Sequence, residues 1–365
     1  MRQWLRKLVQ GLVLGALLAL LFLYPQAAMQ GVREGLSLWA NAVLPALLPF
    51  FVLTSLLLEG GMLRLLAPLA APLCRLFRIP REAGGVLLSG WLSGAPNGAR
   101  LAASLAKRGE LTGPEASRLL SAATVTSPLF LVGTVGQALG SPALGGLIYG
   151  IHLLAAICNG VLWRGHSAHA ARAAHAAPPP ASAALLHVLP EALRTSCLSA
   201  LFIGGAIAVF SALSSVLTAL GAVEALQRTL LFLLPPEAVP ALLAGALEVS
   251  NGCQLAASCA LSLPVRASML CALCAFGGLS VFCQAQVFLD GLAPARTYLL
   301  GRLTHAGLSF ALCRAVFLFF GSSLPTFAAQ GAAAPLVPAS PLAVPALLLC
   351  LGFSLLPWRR LLRPR

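Results

Sequence analysis

The chain is poor in charge. Of its 365 residues only 9% are Asp, Glu, Lys or Arg, against 59% hydrophobic, where a soluble domain carries about 25% charged residues. So little charge cannot coat a water-facing surface, which excludes a soluble enzyme, a nucleic-acid binder and a disordered chain. Acid is scarcer still: there are ten acidic residues, and one aspartate, Asp290. The sequence lacks paired acids at catalytic spacing, an HExxH pair and a Walker phosphate loop. We therefore read no catalytic residue, no metal site and no cofactor, and no means of driving work by hydrolysing ATP.

What remains is a polytopic membrane chain. Mean hydropathy is +0.89, and long uncharged runs recur at membrane-spanning length. The net charge of +14 fits basic loops on the cytoplasmic side of a bilayer. Arg2, Arg6 and Lys7 near one end, and Arg359, Arg360, Arg363 and Arg365 at the other, put both ends in the cytoplasm. Nine of the ten cysteines lie in apolar runs, where free cysteine acts as a small hydrophobe. Cys271 and Cys274 have redox or metal spacing, but their neighbours are Leu, Ala and Met.

The apolar runs divide the chain. Residues 1–30 hold an N-terminal transmembrane helix, whose alternative is a secretory signal ending near Ala27 and Ala28. Residues 31–38, with Arg33 and Glu34, read as interfacial, and 39–58 as a span kinked by Pro45 and Pro49. Residues 83–99 are uncharged but broken by glycines, Pro96 and Asn97. A short polar helix with Lys107, Arg108, Glu110, Glu115 and Arg118 follows. Residues 119–163 make two elements divided near Gly140 and Pro142. An Ala/His/Pro linker at 164–182 includes His166, His169 and His175 and reads as a solvated loop. Further spans lie at 195–223, 238–263, 267–289 and 298–320, and a last one at 343–356. The total is about eight to ten crossing elements, all helical.

An internal repeat relates 87–104, LLSGWLSGAPNGARLAAS, to 242–258, LLAGALEVSNGCQLAAS. Asn97-Gly98 matches Asn251-Gly252, and the chain has only four asparagines. Arg100 and Gln254 share a repeat position, as do Ser127 and Ser280. Gly61 and Gly221 each open an amphipathic stretch. Two halves, 31–163 and 183–321, each read as helix, amphipathic segment, broken polar hairpin and second broken helix, with 322–365 as loop, final helix and basic tail. Matched interruptions in duplicated halves point to a transport site, since irregular backbone at membrane depth survives only where protein or a water-filled cavity satisfies it. The alternative is that these small and polar residues are helix-packing positions.

The candidate substrate-binding residues are Ser93, Asn97, Gly98, Arg100, Ser127, Glu248, Ser250, Asn251, Gly252, Gln254, Ser280 and Gln284. Glu248 is an acid inside an apolar run: either it couples protons or cations or orients a substrate group, or it pairs with an arginine such as Arg100 or Arg302. Arg100 either faces a cavity and pairs with a carboxylate substrate, or marks the membrane surface. His152 and His305 are either proton relays or packed histidines.

The ordered strings WANAVLPALLPFF, SGWLSGAPNGA, TSPLFLVG, ALEVSNG and GGLSVFCQAQ, over roughly 30–320, resemble the YlbJ (stage V sporulation protein V) family of sporulation integral membrane proteins. The resemblance implies two nucleoside-recognition (Gate) domains, with inverted repeats and re-entrant hairpins like those of concentrative nucleoside transporters. It also implies a role in moving dipicolinic acid across the outer forespore membrane of a spore-forming bacterium. The implied partners are a small organic anion and the lipid bilayer, with any coupling ion or partner membrane protein unassigned. A transporter of nucleosides or another small metabolite, and a non-transporting scaffold or gate component, stand as alternatives.

Overall fold

The computed structural model describes residues 2–165, 185–230 and 234–320. The expected linker with its three histidines, from residue 166 onward, and the expected span at 343–356 lie outside the described residues. Every regular element among those described is helical. Six helices there are long and apolar enough to cross a membrane, so the chain is an all-α polytopic membrane protein.

Helix α1 (Arg2–Leu23) precedes α2 (Pro25–Glu59), and Pro25 at the first turn starts the second helix afresh. Residues 31–38, with Arg33 and Glu34, form part of α2. Gly31 and Gly35 are buried while Arg33 and Glu34 are exposed, so the charged residues occupy the outer face. A Cβ on Gly31 would lie 2.6 Å from the Ser211 carbonyl oxygen, and one on Gly35 2.7 Å from the Ser211 Oγ. Only glycine permits this approach, and the Gly-x-x-x-Gly spacing is the sequence signal for it. The expected kink takes the form of a wide π turn at Trp39–Val43, just before Pro45, after which the helix runs on through Pro49.

A short amphipathic helix α3 (Ala71–Phe77) leads to a hairpin of α4 (Gly84–Ser93) and α5 (Ala95–Lys107). The expected polar helix over 107–118 is two elements. Helix α5 ends at Lys107 and α6 (Gly113–Ala123) begins with a capping box, in which Thr112 and Glu115 bond each other's backbone N–H. The 119–163 run likewise has three parts rather than two: the end of α6, then α7 (Leu129–Ala138), then α8 (Pro142–Trp163). The extra break, at 124–127, follows from Pro128, which disfavours helix at the residue before it.

A second series of elements follows. It comprises α9 (Leu185–Ala219), an amphipathic α10 (Ala222–Leu230), a hairpin of α11 (Val239–Leu247) and α12 (Val249–Ser258), the broken pair α13 (Leu263–Phe276) and α14 (Gly278–Leu289), and α15 (Ala295–Phe320). Among the described residues, glycine and proline cut several apolar runs into pieces of roughly half a span beside the six long helices.

Packing joins the two series. Helix α2 lies along α9, α13 along α15, α8 along α15, and α5 against α14. One core gathers Phe77, Leu87, Leu101, Leu119 and Leu120, and another Phe51, Leu131, Ile148, Leu270 and Cys271. Outward residues such as Leu14, Leu201, Val209 and Phe319 are exposed, which suits a lipid-facing surface.

Candidate functional site

Four chain breaks meet at one small cavity of about 60 Å³. Its lining includes Gly94, Ala95 and Pro96 at the start of α5, Glu248, Val249 and Ser250 at the start of α12, Thr126, Ser127 and Phe130 at the start of α7, and Gly277, Val281 and Gln284 from α14. Val43 and Leu47 of α2 and Ile203 and Ile207 of α9 supply apolar walls.

Each break has a local cause. Gly94 holds φ +98° and ψ 170°, and Gly277 holds φ +82°, both in the positive-φ region that glycine alone adopts at no steric cost. Pro96 then starts α5. Glu248 is extended, and its carboxylate accepts the Asn251 N–H at 2.9 Å, capping α12. At α7, the Ser127 Oγ accepts the Phe130 N–H at 3.3 Å.

The four helix starts differ in what satisfies them. Each presents the positive end of its dipole, with amides lacking partners in the helix itself. At α12 a carboxylate takes one amide, and at α7 a hydroxyl does. Gly94 and Gly277 have no side chain, so α5 and α14 have no side-chain cap. Their open amides suit a ligand carboxylate. Gln284 donates from Nε2 to the Ser280 Oγ at 3.0 Å, while its buried Oε1 has no partner.

The far sides of the breaks are held by Arg302, which is 3% exposed. Its guanidinium donates to the Phe276 carbonyl at 3.1 Å, to the Cys274 carbonyl at 3.3 Å, and to the Thr124 carbonyl and hydroxyl. One cation thus serves the carbonyl ends of α6 and α13 together. Thr126 is tied from both sides. Its N–H donates to the His152 Nε2 at 3.0 Å and its hydroxyl to the Cys274 carbonyl at 3.0 Å. His305 stacks on His152 with ring centroids 4.7 Å apart, and its Nε2 reaches the His152 carbonyl.

Of the residues singled out from the sequence, Ser127, Glu248, Ser250 and Gln284 line the cavity together. Ser280 lies behind it, bonded to Gln284. Ser93, Asn97 and Arg100 form a separate buried chain. Asn97 donates to the hydroxyls of Thr54 and Ser93, at 2.7 and 2.8 Å, and accepts from Arg100 Nε at 2.9 Å. Arg100 also donates to Ser55, at 2.9 Å. Asn251 donates to Ser211 at 2.6 Å. Gly98 and Gly252 sit where the hairpin helices touch, near Gly90 and Gly245, and Gln254 is exposed. Neither Arg100 nor Arg302 pairs with Glu248 among the described residues. Sequence reasoning did not single out Thr126, Gly94 and Gly277 as site residues. Their signals were a threonine beside Ser-Pro and glycines inside apolar runs.

No family profile matches the chain, and no solved structure does. The sporulation integral membrane protein YlbJ of Bacillus subtilis (strain 168) is 32% identical over 295 residues, covering 72% of this chain and 70% of that protein. With that identity over most of both sequences and a shared integral-membrane character, the chain belongs to the family of the sporulation integral membrane protein YlbJ.

Proposed function

We propose that this protein carries a small organic anion, dipicolinic acid, across the outer forespore membrane. The observation that carries this reading is the convergence of four helix starts on one cavity, two of them with open first-turn amides. Half-helix N-termini aimed at a shared site near mid-membrane are a recurring means of holding anionic substrates in transporters. Dipicolinate is a small planar dianion whose two carboxylates flank the ring nitrogen, and open amides on α5 and α14 give each carboxylate a donor. In this reading the two series of elements are duplicated, inverted halves of the Gate kind that the resemblance implies, and the α4–α5 and α11–α12 hairpins are re-entrant. Binding and passage of the anion need no catalytic residue.

A nucleoside is the second reading. The unpartnered Gln284 Oε1 calls for an N–H or O–H donor, which a nucleoside has and the dipicolinate dianion lacks.

The test is uptake of radiolabelled dipicolinate into proteoliposomes. A Ser127→Leu, Ser250→Leu double variant fills the cavity from two sides. Uptake by the native protein that this variant loses supports the reading. Uptake of uridine but not dipicolinate moves the assignment to nucleosides, and a protein inert to both acts as a scaffold.

A further inference from the structure

Glu248 is 1% exposed and lines the cavity. Its carboxylate takes the Asn251 N–H and also bonds the hydroxyl and N–H of Ser250, and no cation balances it among the described residues. On α12 the titratable neighbour is the Cys253 thiol, which lies 3.5 Å from the Cys274 thiol of α13. Helix α14 presents Gln284, the start of α7 presents Ser127, and α9 presents Ile203 and Ile207. Helix α11, VPALLAGAL, has no polar side chain. The nearby arginines are engaged elsewhere: Arg100 with Asn97 and Ser55, Arg302 with the carbonyls of two helix ends. The acid therefore faces the ligand space with no charge of either sign beside it.

An ionised carboxylate and an anionic ligand repel each other in such an apolar cavity. The open amides of α5 and α14 attract the same anion that Glu248 repels. One proton removes the conflict and leaves the N-cap intact, since a carboxyl retains an acceptor oxygen for Asn251 while its O–H gains a donor.

Building on the transport reading above, we infer that Glu248 makes anion binding proton-linked: the cavity takes the anion together with one proton, held on the Glu248 carboxyl. The proton comes from the aqueous phase, the carboxyl O–H donates to a ligand carboxylate, and release of the anion returns the proton. Movement of the loaded site across the membrane then carries both.

The test is equilibrium binding of tritiated dipicolinate to the full chain in nanodiscs, between about pH 6 and 8.5, where the ligand carboxyls stay ionised. Native affinity is expected to fall about tenfold per pH unit once Glu248 is deprotonated, and binding is expected to draw one proton from the buffer in calorimetry. In Glu248→Gln, which keeps the amide acceptor, affinity no longer varies with pH. Native affinity that is flat with pH, a pH dependence that persists in Glu248→Gln, or a requirement for sodium in place of the proton overturns the inference. Proteoliposome flux, measured in parallel, separates the two readings. Flux with pH-independent binding overturns the proton linkage alone. Proton-linked binding without flux overturns transport and leaves the linkage standing. Absence of binding at every pH overturns both.

Discussion

Asn97 on the first hairpin donates its side-chain amide to the Thr54 hydroxyl of α2 at 2.7 Å. The second hairpin has a counterpart, from Asn251 to the Ser211 hydroxyl of α9 at 2.6 Å. The two bonds occupy matching places in the two series of elements, and each ties the second arm of a hairpin to the long helix that opens its series. The ties are unequal. Asn97 is fully buried and also engages Ser93 and Arg100, whereas Asn251 is half-buried. Asn97→Leu leaves Arg100 short of an acceptor and is expected to destabilise the protein by about 2–4 kcal/mol. Asn251→Leu is expected to cost about 1 kcal/mol. Thermal unfolding in a single detergent, monitored by size-exclusion fluorescence, ranks the two. An equal loss in both would mean that the extra bonds of Asn97 contribute nothing.

Arg302 joins the carbonyl ends of α6 and α13. A planar guanidinium reaches several carbonyls at once, and a lysine ammonium lacks that fork. Arg302→Lys is expected to lose about 2–3 kcal/mol, and Arg302→Met more, because buried carbonyls are then left without donors. The measurement is the midpoint of thermal aggregation of both variants. A lysine variant as stable as the native protein would show that charge alone suffices.

Much of this arrangement was legible in the sequence, and the reasons are local. Gly94 and Pro96 interrupt an apolar run, so the first hairpin could be placed from helix-breaking chemistry, and the second followed from its repeat match to the first. The match of Asn97 with Asn251 was visible because asparagine is rare in this chain. What each asparagine touches was not visible, since Thr54 and Ser211 lie 43 and 40 residues away along the chain. The same limit hid Arg302: a lone arginine in a span gives no sign that its acceptors are helix ends. The packing of 31–38 on α9 rests on Gly31 and Gly35, a spacing that the charges of Arg33 and Glu34 mask in the sequence.

The α2–α9 contact gives a steric prediction with an internal control. A side chain at Gly31 meets the backbone of Ser211 and Ala212 at 2.6–2.7 Å, so Gly31→Leu is expected to abolish folded, monodisperse protein. Gly15 on α1 has nothing within 4 Å, and Gly15→Leu is expected to be neutral. Yield after membrane extraction checks both. A well-folded Gly31→Leu protein would refute the close approach of these helices.

Arg100 and Gln284 separate fold from ligand. Both are buried and polar, but only Gln284 lines the cavity, where its Oε1 lacks a partner. Gln284→Leu therefore removes a group facing the ligand together with the bond to Ser280. It is expected to weaken ligand binding about tenfold, equivalent to roughly 1.4 kcal/mol, with a change in stability below about 1 kcal/mol. Arg100 packs over the Phe51 ring at 5.9 Å and bonds to Asn97 and Ser55. Arg100→Lys is expected to lower stability by about 1–3 kcal/mol while ligand affinity stays within about twofold. Parallel binding and melting curves on the two variants test the separation. Loss of binding in Arg100→Lys at undiminished stability would bring the arginine into the ligand site and move the anion toward the Asn97 chain.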